Sequence, residues 1–301
     1  MKKITKLSQY FNKALLRGIN SIPLLKYSVS DKTYVSMKFK AVLGEKCEFT
    51  HPETFNEKLQ FVKLYDRNIL YTKLVDKYEV KKIVAEKVGP QYVIPTIGIY
   101  NSFEEIDFNT LPNQFVIKTT HDSGGVVICC DKTNFNIDKA KIIINNSLNN
   151  NFFYRSREWP YKDVPHRIIV EEYLQDENSE DLVDYKLQCF DGKVDNILVC
   201  IGRHTESGVR YYYFDRNWNF LDYSLSPKLT EAIPCPSNLD EMIHISEEMA
   251  SKLPEVRVDL YDVNGKIYFG EMTFYSQGGF DPSITVEADY ILGEKLNIQY
   301  L

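Results

Sequence analysis

A chain of 301 residues is long enough to bury a sizeable core and suggests about two domains or lobes. With 44% hydrophobic and 26% charged residues its composition is that of an ordinary water-soluble globular protein, and a net charge of −6 argues against a general nucleic-acid binder. No apolar run is long enough to cross a membrane, the first residues lack the continuous apolar core of a signal peptide, and six scattered cysteines show no zinc-ligand spacing, which fits free thiols in a reducing cytoplasm.

Residues 1–30 carry Lys2, Lys3, Lys6, Lys13, Arg17 and Lys26, with no acid before Asp31. Ile4, Leu7, Tyr10, Phe11, Leu15 and Ile19 recur at helical spacing. A basic amphipathic helix of this kind suits either an anionic membrane surface or packing on the protein's own body, and an apolar stripe more often faces a core. Residues 31–70 read as helical with breaks. Thr54 and Glu57 form a capping-box pattern for a helix running through Leu64. Residues 72–88 read as one helix, with Leu74, Val75, Tyr78, Val84 and Val88 as its apolar stripe, its lysines as a solvated face and Gly89-Pro90 as its stop.

Residues 93–100 form a short strand or loop, and 114–118 a strand ending in Lys118. A small-residue loop follows, with Ser123, Gly124 and Gly125 at its end, and then a strand over 126–130. Such a hairpin can offer backbone N–H groups to phosphates where no side chain intervenes. Most Gly-Gly turns simply reverse a chain, but a lysine at the end of the incoming strand adds weight. No GK[ST] and no following helix make it a Walker loop. Residues 136–150 read as a helix. Residues 154–161 form an aromatic and basic loop, placed to order over a ligand. Residues 167–174 read as a buried strand ending in Glu171, Glu172, Tyr173 and Leu174, followed by an acidic loop over 176–181.

Two hairpins come next, 184–190 with 193–201 across Asp191-Gly192, and 209–214 with 220–225. On the first, Asp184, Lys186 and Gln188 share one face, which is either exposed sheet or a ligand surface. A helix over 238–253 precedes a last hairpin in residues 255–282, and the tail is Gly-rich and then partly helical. The expected division is a helical segment over 1–70, a lobe over 71–175 and a second lobe over 176–301.

The last hairpin carries a geometric question. Asn264-Gly265 is a strong turn signal. A strict two-residue turn pairs Asp259 with Gly270 and leaves Glu271 on the opposite face. A three-residue loop over 263–265, with Gly265 left-handed, pairs Arg257 with Glu271 and brings Asp259 onto the same face. An odd-length loop or a bulge is therefore expected. Two carboxylates side by side repel unless a cation lies between them, and Mg²⁺ takes oxygen ligands. The plainer alternative is a solvent-facing acidic strand with an Arg257–Glu271 ion pair.

Lys118, the 123–125 loop, residues 171–174 and the Asp259/Glu271 pair fit one chemistry, that of a nucleotide held with Mg²⁺. The combination resembles the ATP-grasp superfamily. A closer resemblance is to the teichuronopeptide-type ATP-grasp family of bacterial surface-polysaccharide clusters. It is carried by TFNEK at 54–58, YDR at 65–67, LVDKY at 74–78, LPNQFVIKTTHDSGG at 111–125, REWPY at 157–161, DYK at 184–186, and RVDLY with GKIYFGEMTFYSQGG across 257–279. The resemblance implies an α+β ATP-grasp fold, in which two α+β lobes sandwich the nucleotide under a glycine-rich flap, after a mostly helical N-terminal segment. It implies ATP and Mg²⁺ as cofactors.

Carried over residue by residue, the resemblance makes Lys118 the flap-strand lysine, with Ser123, Gly124 and Gly125 covering phosphates. Glu171, Glu172, Tyr173 and Leu174 then meet the base or sugar. Lys186 is the second cation on the phosphates, and Arg257 the cation near the transferred phosphoryl group. Asp259 and Glu271 are the metal acids. Thr273 stands where the superfamily usually has Asn, and a hydroxyl is a weaker ligand. The implied reaction joins a carboxylate to an amine through an acyl phosphate. The expected substrates are a uronic-acid or other sugar carboxylate of a capsular or cell-wall polysaccharide, and an amino acid or small amine. His121, Arg155, Arg157 and Arg203 are candidates to orient the acid. The expected location is the cytoplasm, at the inner face of the membrane if the basic helix lies on it. Three rivals remain open: a kinase acting on a glycan hydroxyl with Asp122 or His121 as base, a glycosyltransferase (although no DxD pair ends a strand), and a non-catalytic nucleotide-binding protein.

Overall fold

A computed structural model of the chain describes residues 2–176, 182–201, 208–227, 229 and 232–299. Three helices come first: α1 (Lys2–Ser21), α2 (Pro23–Ser28) and α3 (Asp31–Leu43). Of the apolar pattern of α1, the side chains of Ile4 and Leu7 lie outside the described residues, and only part of the rest is used for packing. Leu16 and Ile19 are buried against Tyr34 and Ala41, whereas Tyr10, Phe11 and Leu15 are exposed. The core-facing stripe expected from the sequence is therefore narrower than its apolar residues, because α3 offers a contact surface to one side of the helix only.

The capping box is present as expected. The Thr54 hydroxyl accepts from the Glu57 N–H and the Glu57 carboxylate accepts from the Thr54 N–H, starting α4 (Phe55–Tyr65). Beneath α4 the buried Lys63 ammonium donates to the carbonyls of Ser156 (2.9 Å) and Gly278 (2.5 Å) and lies 4.3 Å from the centre of the Phe280 ring.

The single helix expected over 72–88 is two, α5 (Leu70–Val75) and α6 (Glu79–Lys87). Asp76 makes the break. Its buried carboxylate accepts from the N–H groups of Tyr78 and Glu79 and from Arg167, capping the second helix while the backbone at 76 turns extended. The break also turns lysines that the sequence placed on a solvated face inward, as described below.

Strands β1 (Thr96–Tyr100), β2 (Phe115–Thr119), β3 (Val126–Cys129) and β4 (Ile168–Glu172) form a four-stranded antiparallel sheet in the order β1-β4-β2-β3. Its core of Phe115, Ile117, Ile144, Ile168 and Val170 lies under α7 (Ile137–Leu148). The loop after α7 contains the short α8 (Phe153–Ser156). This segment, expected to order over a ligand, is instead packed into the body. Arg157 is buried over the Tyr34 ring (4.6 Å) and donates to the Lys26 carbonyl, and Trp159 and Tyr161 are buried.

The chain leaves the first sheet at Glu172 and enters a second at Asp184. This sheet comprises β5 (Asp184–Phe190), β6 (Lys193–Ile201), β7 (Arg210–Asp215), β8 (Phe220–Leu221), β9 (Glu255–Val263) and β10 (Lys266–Thr273), ordered β10-β9-β5-β6-β7-β8 and antiparallel throughout. Helix α9 (Leu239–Ala250) lays Met242, Ile245 and Met249 on it to form the larger core, and α10 (Val286–Lys295) packs against α4. Among the described residues no helix is long and apolar enough to cross a membrane.

Candidate active site in the cleft between the sheets

The β9–β10 hairpin answers the register question differently from the three-residue loop. Its turn has two residues, Asn264 and Gly265, both left-handed (φ 54° and 77°), as a type I′ turn requires. Pairing runs Val263 with Lys266 down to Leu260 with Phe269, and then Gly270 is bulged out. Beyond the bulge Asp259 faces Glu271 and Arg257 faces Thr273. The expectation of a bulge is met; the odd loop and the Arg257–Glu271 pairing are not.

Strand β5 lies on the other side of β9 and sets Lys186 beside Asp259. The Asp259 carboxylate is chelated by Arg257, Nε at 2.6 Å and Nη2 at 2.8 Å, and is also paired with Lys186, whose ammonium reaches Asp184 at 2.7 Å. Burial pushes the Asp259 carboxyl up, but Arg257 and Lys186 outweigh it and hold it below the ordinary carboxylate range. Burial likewise presses Lys186 down, and Asp259 holds it above the usual lysine value. Arg257 further donates to the hydroxyls of Thr273 (3.1 Å) and Ser276 (3.0 Å). Thr273 thus sits against the guanidinium rather than on the wall of the cleft. The third polar residue of the β5 face, Gln188, is buried and donates to Glu255, so only Asp184 and Lys186 face the cleft.

The first sheet supplies the other wall. Lys118, at the end of β2, is paired with Glu171 of β4 at 2.6 Å, and Lys81 of α6 is paired with the same carboxylate. Burial raises the Glu171 carboxyl, and the two lysines more than reverse that, leaving it below its ordinary value. In the loop after β2, a side chain on Gly125 would collide with Thr119 and Ser147, while Gly124 adopts φ 150°. The Asp122 carboxylate is turned inward onto the hydroxyls of Thr119 and Ser147 and the Gly125 N–H. His121 is fully buried, its Nε2 against the carbonyls of Ser147 and Asn150 and its ring stacked on His166 at 3.7 Å.

Between the two walls is a cleft of about 390 Å³. Its lining includes Lys118, Ser123, Gly124, Glu171, Glu172, Tyr173 and Leu174 from one side and Lys186, Asp259 and Glu271 from the other. Gly125, Arg257 and Thr273 stand just behind it. Of the candidates for orienting an acid, His121 and Arg157 are tied up elsewhere, Arg155 is exposed away from the lining, and Arg203 lies outside the described residues. Lys77 is a lining residue that the sequence reading missed. Its ammonium donates to the Asp122 carbonyl (2.6 Å) and lies 3.5 Å from Glu271. The available signal was Asp76, a capping residue in the middle of an apparently continuous helix. Ser276 was missed as well.

The TupA-like ATP-grasp family model matches residues 57–297. The chain belongs to this family. ATP-grasp membership brings ATP as the nucleotide and Mg²⁺ as its metal. Among solved structures, the D-alanine–D-alanine ligase of Bacillus anthracis complexed with ATP aligns over 67% of this ATP-grasp chain and 54% of its own, at 20% identity and a TM-score of 0.40. The D-cycloserine synthetase DcsG aligns over 81% and 78%, at 15% identity and a TM-score of 0.44. The ATP-grasp ligase PsnB complexed with minimal precursor aligns over 88% and 72%, at 9% identity and a TM-score of 0.42. The chain thus spans just over half the length of the first of these. No curated protein matches it.

Proposed function

We propose that the protein is a carboxylate–amine ligase. ATP phosphorylates a carboxylate, an amine attacks the acyl phosphate, and an amide, ADP and phosphate are released. The observation that carries this reading is the placement of Asp259 opposite Glu271 in a cleft whose walls also present Lys77, Lys118 and Lys186. In such a site the lysines can exchange their carboxylate partners for the phosphates of a nucleotide as metal binds the acids.

In this reading Lys118 and Lys186 neutralise the phosphates, and the backbone at Ser123, Gly124 and Gly125 covers them. Glu172, Tyr173 and Leu174 line the base and sugar end. Glu171 holds Lys118 and Lys81 in position. Asp259 and Glu271 hold Mg²⁺, which supplies charge neutralisation to the phosphates. The donor chemistry fits, since both are hard oxygen ligands. Arg257 steadies charge on the transferred phosphoryl group, and Thr273 and Ser276 fix its guanidinium. We assign the carboxylate to a uronic acid or other acidic sugar of a bacterial surface glycan and the amine to an amino acid or small amine, on the resemblance that the motifs carry. We assign the reaction to the cytoplasm, on its use of ATP.

The buried His121 and the inward-turned Asp122 speak against the kinase alternative, because neither carries a lone pair to an acceptor hydroxyl in the cleft. The deciding experiment is product analysis with Mg-ATP, a uronic-acid glycan and a panel of amines, with Glu271→Gln as control. ADP and phosphate released only when acid and amine are both present support the ligase. ADP without free phosphate, with label on the glycan, establishes a kinase instead.

A further inference from the structure

Helix α1 has three distinct faces. At about 100° per residue, Leu16 and Ile19 fall on one, and both are buried against Tyr34 and Ala41. Tyr34 adds a hydrogen bond to Asn20 (3.2 Å), which fixes the rotation of the helix on the body. Phe11, Leu15 and Ile22 fall on a second arc and remain exposed, Phe11 at 67%, while Tyr10, exposed at 71%, lies beside Arg17. Lys13 and Arg17 lie on a third, across the helix axis from that apolar arc. Helix α2 adds Leu24 at 77% exposed and Tyr27 at 63%, with Lys26 between them in sequence. It is itself tied down, through the Lys26 carbonyl to Arg157 and through Tyr27 edge-on to Tyr154.

The inward face of α1 is thus already occupied, and Phe11, Leu15, Ile22 and Leu24 stay exposed among the described residues. Single exposed apolar residues need no explanation, but a contiguous arc does. Charge identifies what covers it. Six cations and no acid occur before Asp31. Removing those six from the 36 basic residues leaves 30 against 42 acids, a balance of −12 for residues 31–301. The molecule is therefore a cationic helix pair on an acidic body. An anionic plane attracts the first and repels the second, which selects one orientation.

We propose that α1 and α2 form an interfacial anchor that seats Phe11, Leu15, Ile22 and Leu24 at the acyl boundary of an anionic lipid surface, with Lys13 and Arg17 on the polar face of α1 in the phosphate layer. The inference does not depend on which reaction the cleft performs.

The test is sedimentation of the full chain with vesicles of phosphatidylcholine alone and of phosphatidylcholine mixed with phosphatidylglycerol. Binding is expected to the mixed vesicles and to be at least about tenfold weaker to the neutral ones. Each of Lys13→Gln and Arg17→Gln should weaken it about fivefold. The triple change Phe11→Ser, Leu15→Ser, Leu24→Ser should abolish it while leaving the thermal unfolding midpoint and nucleotide turnover in solution unchanged. Three results overturn the proposal: equal partition to both vesicle types, partition to neither, or a concentration-dependent dimer in lipid-free solution that the triple change dissolves.

Discussion

Asp259 stands directly across from Glu271, although a two-residue turn joins their strands and should have set it across from Gly270. The whole carboxylate pair rests on one bulged glycine. A Cβ at position 270 would approach Tyr261 Cε2 to 3.0 Å and the Asp259 carbonyl oxygen to 3.1 Å. Gly270→Val is therefore expected to cost about 1–3 kcal/mol of stability. It should also reduce ATP turnover at least about tenfold by re-aiming Glu271. Chemical denaturation and phosphate release read the two effects. Unchanged turnover would mean that the register does not depend on the bulge.

The two acids differ in how they are embedded, and their neutral variants should separate stability from turnover. Asp259 is buried with Arg257 and Lys186 on its oxygens, so Asp259→Asn leaves two cations short of their counter-charge and should cost about 3–5 kcal/mol. Glu271 is partly exposed and its nearest cations are 3.5 and 3.9 Å away. Glu271→Gln should cost under about 1 kcal/mol, yet lower turnover about a hundredfold. Thermal unfolding beside ADP release distinguishes the two. An equal loss of stability in both variants would contradict the difference in burial.

Glu171 is held by Lys81 and Lys118 below its ordinary titration range. The folded state thus binds its proton less readily than the unfolded chain does. The stability this contributes is full above the ordinary carboxylate range and is lost as pH falls through the folded value. Glu171→Gln should flatten the acid limb of the stability–pH curve relative to wild type and raise the KM for ATP by loosening Lys118. A parallel acid limb in the variant would assign the acid sensitivity elsewhere.

Lys63 gives a slope of the same sign in a higher pH window. Burial depresses its ammonium to about 7, with Glu158 only partly restoring it. Between that value and the normal lysine range the unfolded chain carries a proton that the folded protein lacks. Stability therefore falls as pH drops through this window, by up to about 1.4 kcal/mol per pH unit. Lys63→Met keeps the volume and removes the charge. The stability difference between variant and wild type should accordingly vary with pH above about 7. A difference independent of pH from 7 to 10 would mean that Lys63 stays charged.

Much of this architecture was legible because local signals agreed with the tertiary result. The Thr54–Glu57 capping box and the Asp191-Gly192 and Asn264-Gly265 turns are short-range devices, and the chain obeys them. The grouping of Lys118, Lys186, Asp259 and Glu271 was legible through the motifs they stand in. What escaped depends on partners far along the chain. Asp76 breaks a helix because Arg167, 91 residues on, binds its carboxylate. Lys77 and Lys81 leave the solvent because Glu271 and Glu171 wait for them. Thr273 looked like a substituted metal ligand, and the hairpin register turns its hydroxyl to Arg257. The exposed arc of α1 follows from how little of that helix α3 covers, which no periodicity within the helix encodes.

The position of Lys77 has a mechanical consequence. One end of its side chain is rooted in the turn between α5 and α6, whose backbone N–H is bonded to the Thr120 carbonyl, and its tip touches both the Asp122 carbonyl and Glu271. The same turn follows α5, whose Tyr71 is stacked on Phe274 at 4.1 Å, just past the end of β10. A single lysine thus braces the glycine loop against the strand that carries the carboxylate, like a strut across the jaws of a clamp. The jaws cannot widen at this point without unseating that strut.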